Sequence, residues 1–88
     1  MIVRTVLVVN RLGLHARAAA KFVHLASQFS ARVKVERQGR AMDGKSIMGL
    51  LLLAAAQGTM LTISGDGVDE QQAIDALIAL IEQGFGEA

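Results

Sequence analysis

Strand-like and helix-like apolar patterns follow one another in this chain in the order strand, helix, strand, strand, helix, strand, helix, and few folds accept that order. Residues 2–9 read IVRTVLVV, β-branched and almost wholly apolar, which predicts a strand whose two faces alternation cannot tell apart. Asn10-Arg11-Leu12-Gly13 breaks the run. Over residues 16–29, Ala19, Phe22, Val23, Ala26 and Phe29 share one helical stripe, with Arg17, Lys21, His24 and Gln28 on the wet side. Residues 32–37 alternate, with Val33 and Val35 opposed to Arg32, Lys34 and Glu36, and Gln38-Gly39 turns them into a second strand over 40–43. Ser46 is placed to cap a short helix from 47 to about 53. Residues 60–65 form a strand with Leu61 and Ile63 on one side, and Gly65-Asp66-Gly67 is a turn. Asp69, with Gln72 in the reciprocal capping-box position, starts a last helix with the stripe Ile74, Leu77, Ile78 and Ile81; Gly84 ends it. Four strands and three helices in this order predict a two-layer α+β domain, an antiparallel sheet covered on one face.

At 88 residues the chain has room for one domain, 1–88, and its 52% apolar content is enough to fill a core. The absence of cysteine excludes disulfides, thiolate metal sites and cysteine nucleophiles. Three phenylalanines, with no Trp or Tyr, are too few for a stacking platform, so nucleic acid is not an expected partner. The longest apolar run, 47–56, falls short of the roughly 20 residues a membrane span needs. No basic leader or small-residue cleavage site precedes the first strand, so the expected location is cytoplasmic, without membrane insertion.

The net charge of +1 hides a division. Residues 1–45 hold all nine basic residues and two acids, and residues 46–88 hold six acids and no base. Such a split predicts an electropositive face for acidic or phosphorylated partners, unless the halves interleave in the fold.

Two histidines are available for chemistry. His24 lies on the wet face of the first helix and reads as surface. With no cysteine and no acid pair beside either histidine, no metal site or cofactor is expected. His15 directly precedes the helix, where unpaired N–H groups and the positive end of the helix dipole favour an anion. Arg17 adds a guanidinium fork that suits phosphate oxygens. A neutral imidazole there can act as a nucleophile and carry a phosphoryl group; it can also do no more than cap the helix. A third feature, Gly39 to Ser46, spells the G-x-x-x-x-G-K-S of a phosphate loop, but that loop needs a buried parallel strand before it, and here the first glycine is spent on a hairpin. Ser46 is an N-cap hydroxyl, and a phosphate at that helix N-terminus would leave the helix intact while charging its surface. The helix after Ser46 is apolar nearly all round, as expected if one face is core and another docks a partner.

Gly13-Leu14-His15-Ala16-Arg17, followed by Ala19 and Ala20, resembles the active-centre signature of HPr, the histidine-containing phosphocarrier family of the bacterial phosphoenolpyruvate-dependent sugar phosphotransferase system. Gly44-Lys45-Ser46-Ile47-Met48-Gly49 resembles the family's second signature, around its regulatory serine. The resemblance covers essentially the whole chain. It implies an open-faced β-sandwich of strand order 1-4-2-3 with three helices on one face. It implies a phosphoryl carrier that is a substrate of other enzymes and not itself a catalyst, loaded by enzyme I at Nδ1 of His15 and unloaded onto IIA domains of sugar permeases. Arg17 matches the phosphate-binding arginine, with the amides of Ala16 and Arg17 beside it. Ser46 matches the serine modified by HPr kinase/phosphorylase in lineages that have that enzyme. Ala20, Ile47, Met48 and Leu51 fall on the family's docking surface, and the expected form is a monomer. A carrier of a regulatory, nitrogen-type phosphotransferase branch would share the same chemistry, and an α+β interaction domain without phosphotransfer is the reading from another class. One position departs from the pattern: Ala18 stands where the family usually has proline.

Overall fold

The computed structural model describes residues 1–87. Its elements are β1 (Ile2–Leu7), α1 (Ala16–Ala26), β2 (Arg32–Arg37), β3 (Arg40–Asp43), α2 (Ile47–Leu52), β4 (Met60–Asp66) and α3 (Glu70–Glu82), followed by a 3-10 turn at Gly84–Gly86. The strands form one antiparallel sheet in the order β1-β4-β2-β3. β4 lies between β1 and β2, with Val6 opposite Leu61 and Val35 opposite Ile63, so apolar side chains from three strands meet on one face. On that face Phe22, Leu50, Ile74, Leu77, Ile81 and Phe85 close the core from the helical layer. This is the predicted open-faced α+β sandwich.

The structure decides which face of β1 is core. Val6 and Val8 are buried, while Val3 and Leu7 point out from the uncovered face of the sheet. β1 ends at Leu7, two residues before the end of the apolar run. Val8 leaves the ladder to exchange hydrogen bonds with Thr59 and Gly58. α1 likewise stops at Ala26, and Phe29 is only half-buried. After Ser27 the amides of Gln28 and Phe29 bond three residues back, which tightens the helix to a stop. β4 runs one residue past its expected end, to Asp66, because Arg32 pairs with it.

The α3 cap differs more. Asp69 occupies the N-cap position but makes no side-chain cap bond. Its carboxylate accepts from the Ser30 and Ala31 amides at 2.9 Å each and from the Ser30 hydroxyl at 3.3 Å, tying the α1–β2 loop to the start of α3. Glu70 instead takes the Gly67 amide at 3.0 Å, and Gln72 is exposed. The expected α3 stripe is buried, and so is Phe85, which lies beyond the periodic stretch of α3. The phosphate-loop spelling at residues 39–46 falls on the β2–β3 turn, β3 and the Ser46 cap of an antiparallel sheet, which has no parallel strand to present it. No helix of the described residues is long and apolar enough to cross a membrane.

Candidate functional site

The break after β1 is a folded loop that presents the first turn of α1. Gly13 sits at φ +67°, and its position against the Ala55 carbonyl leaves no room for a side chain. The Leu14 amide bonds the Ala55 carbonyl at 2.8 Å, and Leu14 is buried, so the loop is anchored to the segment that follows α2. His15 is then the N-cap of α1, in extended conformation, with its carbonyl accepting the first helical bond from Ala19. The ring makes no cap bond.

Among the described residues no acceptor takes the amides of Ala16, Arg17 or Ala18. Unpaired donors at the positive end of a helix favour an anion. Arg17 is exposed and makes no ion pair among the described residues. His15, Ala16, Arg17, Arg11, Leu12 and Glu87 line one shallow concavity. Ala18 is wholly buried and its amide is free among the described residues, so alanine in place of the proline usual in the resembled family changes no backbone hydrogen bond.

Glu87 was not singled out from the sequence. Its Oε2 lies 2.8 Å from His15 Nε2, and its Oε1 lies 3.2 Å from the same nitrogen. Asn10, 6% exposed, donates through Nδ2 to the Gly13 carbonyl at 2.8 Å and to Glu87 Oε1 at 2.7 Å. Two oxygens facing the same group require the amide nitrogen there, and Asn10 Oδ1 is left buried without a partner among the described residues. The bonds from Asn10 and then His15 hold the Glu87 carboxyl below its ordinary value, outweighing its partial burial. Nδ1 of His15 has no hydrogen-bond partner among the described residues. One ring nitrogen is therefore tied and the other is open.

His24 is exposed, as its place on α1 predicted. Ser46 caps α2 by accepting the Gly49 amide at 3.0 Å. In α2, Leu50 is buried with the capping Leu53, while Ile47, Met48 and Leu52 are 43%, 69% and 54% exposed, so this short helix presents an open apolar face. Leu51 is half-buried against the core and Leu52 is the more open of the two. α1, which carries the exposed Ala20, packs beside α2.

A family model described as the PTS HPr component phosphorylation site matches residues 2–83. The phosphocarrier protein HPr of Cupriavidus necator is 53% identical over 99% of this chain and 98% of its own length. The phosphocarrier protein NPr of Shewanella violacea is 41% identical over 97% of this chain and 93% of its own. The crystal structure of HPr-C-His from Thermoanaerobacter tengcongensis superposes with a TM-score of 0.96 at 45% identity, covering 100% of this chain and 99% of that one.

Proposed function

The chain belongs to the PTS HPr family of phosphocarriers, and on that premise we propose that residues 1–88 act as one carrier domain that accepts a phosphoryl group from phospho-enzyme I on Nδ1 of His15 and donates it to IIA domains of sugar permeases. The observation that carries this reading is the state of the ring: Nε2 is engaged by Glu87, while Nδ1 is open beside the free amides of Ala16 and Arg17. Those amides and the unpaired Arg17 guanidinium hold the phosphoryl oxygens. The exposure of the site lets a donor and several acceptors reach it in turn.

Ile47, Met48 and Leu52, with Ala20 and the half-buried Leu51, form the docking surface, and phosphorylation of Ser46 by an HPr kinase/phosphorylase regulates it by adding charge at the N-terminus of α2. The protein works in the cytoplasm as a monomer. The likeness to an NPr favours one second reading, a nitrogen-type regulatory branch with the same chemistry at His15.

The test is phosphotransfer with phosphoenolpyruvate, Mg²⁺ and an enzyme I shown to be active on another HPr. The expected product is a single acid-labile phosphate that disappears in His15→Ala. No phosphate on the wild-type chain overturns the reading. Onward transfer to a sugar-type IIA but not to a nitrogen-type IIA places the chain in the sugar branch, and the opposite preference places it in the regulatory one.

A further inference from the structure

The carboxylate that meets His15 comes from 72 residues further along the chain, and the C-terminal segment is built to deliver it. α3 ends at Glu82, and Gly84 turns the chain at φ +64°. Phe85 then takes a left-handed φ of +57°, unusual for a residue with a bulky side chain, and its ring is 1% exposed in the core. Lys21 Nζ donates to the Phe85 carbonyl at 2.7 Å. The buried Asn10 amide fixes Glu87 Oε1, which leaves Oε2 to His15. A plug, a clamp and an amide thus converge on one carboxylate.

We propose that Glu87 is a positioning residue that keeps the His15 proton on Nε2, so that Nδ1 presents its lone pair to the incoming phosphoryl group. The proposal rests on the carrier reading of His15 and deepens it. An ionised carboxylate only accepts hydrogen bonds, so the ring nitrogen facing it is an N–H, and in the neutral ring the other nitrogen is the base. In the accepting step the Nδ1 lone pair forms the new N–P bond. The donor's bond to phosphorus breaks, and its electron pair leaves with the donor. The Nε2 hydrogen stays where it is, and the ring gains a positive charge whose N–H faces Glu87 Oε2 at 2.8 Å. In the donating step the N–P pair returns to Nδ1 and the ring is neutral again, still with its hydrogen on Nε2. No proton moves in either direction. Among the described residues, the other charged groups around this pair are Arg11 and Arg17 in the shared concavity, Lys21, and Glu82, which lines an adjoining concavity with Glu87.

Two substitutions test this against a merely structural role. In Glu87→Gln the Asn10 amide still demands an oxygen, so the new side chain turns its own amide nitrogen to His15. That nitrogen donates, Nε2 becomes the acceptor, and the hydrogen moves to Nδ1, where it blocks attack. Glu87→Ala removes the constraint without imposing the opposite one. The expected order of phosphoryl acceptance is wild type, then Glu87→Ala, then Glu87→Gln, with the last at least roughly tenfold below wild type, as for a nucleophile's histidine held in the wrong tautomer. ¹⁵N spectra of the neutral imidazole place the hydrogen on Nε2 in the wild type and on Nδ1 in Glu87→Gln. A structural role predicts the reverse order, since glutamine is nearly isosteric and keeps the Asn10 bond. That reverse order, equal rates, or an Nε2 hydrogen in all three proteins would overturn the proposal. If the wild type itself takes up no phosphate, the carrier reading has failed; if it does and the variants behave as a structural role predicts, only the role of Glu87 has.

Discussion

Gly13 and Gly39 both sit at positive φ, +67° and +83°, yet the structure assigns them different importance. A Cβ at Gly39 meets nothing within 4 Å, so Gly39→Ala should cost about 1 kcal/mol for the left-handed backbone alone. A Cβ at Gly13 would lie 2.4 Å from the Ala55 carbonyl oxygen, and two backbone segments cannot relax as a side chain would. Gly13→Ala should cost about 3 kcal/mol or more and should also displace the loop that carries His15. Urea unfolding checks the stabilities, and phosphotransfer should fall in Gly13→Ala and stay at the wild-type level in Gly39→Ala. Arg17→Ala is the converse case. The guanidinium has no partner among the described residues to lose, so stability should stay within about 0.5 kcal/mol while transfer slows at least roughly tenfold. Both Arg17 and His15 were legible in the sequence because the helix start that arranges them is local. Glu87 was not, because no periodicity links residues 72 apart. The available signal was Phe85 between two glycines beyond a helix end, a large apolar side chain that has to fold back into the core and draws Glu87 with it.

At the scale of elements, the periodic stretches of the sequence placed every strand and helix, and the differences gather at their ends. Ends depend on partners that periodicity does not encode: Thr59 takes Val8 out of β1, and Arg32 extends β4 to Asp66. Asp69 has the residue type of a helix cap, but the amides of Ser30 and Ala31, 39 and 38 residues away, are better placed donors for its carboxylate. Ser46 does act as a cap, and its two proposed roles can be separated. Ser46→Ala loses the bond to the Gly49 amide and should cost about 1 kcal/mol in thermal or urea unfolding while leaving phosphotransfer from enzyme I near wild type. Ser46→Asp keeps an acceptor at the cap and adds charge beside Ile47 and Met48. It should hold stability near wild type and raise the KM for transfer from enzyme I. Equal KM values for the two variants would remove the docking role from this end of α2.

Across the whole molecule the charge division of the sequence does not survive folding intact. β4, from the acidic half, lies between β1 and β2 of the basic half. Arg4 meets Asp75 at 3.1 Å, the N-terminal amine meets Glu70 at 3.1 Å, and Arg32 stands opposite Asp66. Strand order, which residue patterns alone left open and the family resemblance supplied, decides how far the two halves cancel. The same cross-chain contacts set the acid stability. Asp69 is held below its ordinary value first by the Ser30 amide, and Glu70 first by the Gly67 amide and then by the N-terminal amine. With folded values below unfolded ones, the unfolded chain binds more protons in the acid window, so stability there rises with pH. The contribution is complete above the unfolded values, 3.8 for Asp69 and 4.5 for Glu70, and is lost as pH falls through the lower folded values. An Asp69→Asn/Glu70→Gln protein should therefore be less stable than wild type by a constant margin at neutral pH, and that margin should shrink below about 4.5 as the wild-type carboxylates take up protons. Glu87 is kept intact in this comparison because its carboxylate also holds Asn10 and His15, at 2.7 and 2.8 Å, and belongs to the candidate site. Urea midpoints from pH 7 down to 3 measure the margin, and one that stayed constant to the acid end would mean that these two carboxylates do not set the acid limit of the fold.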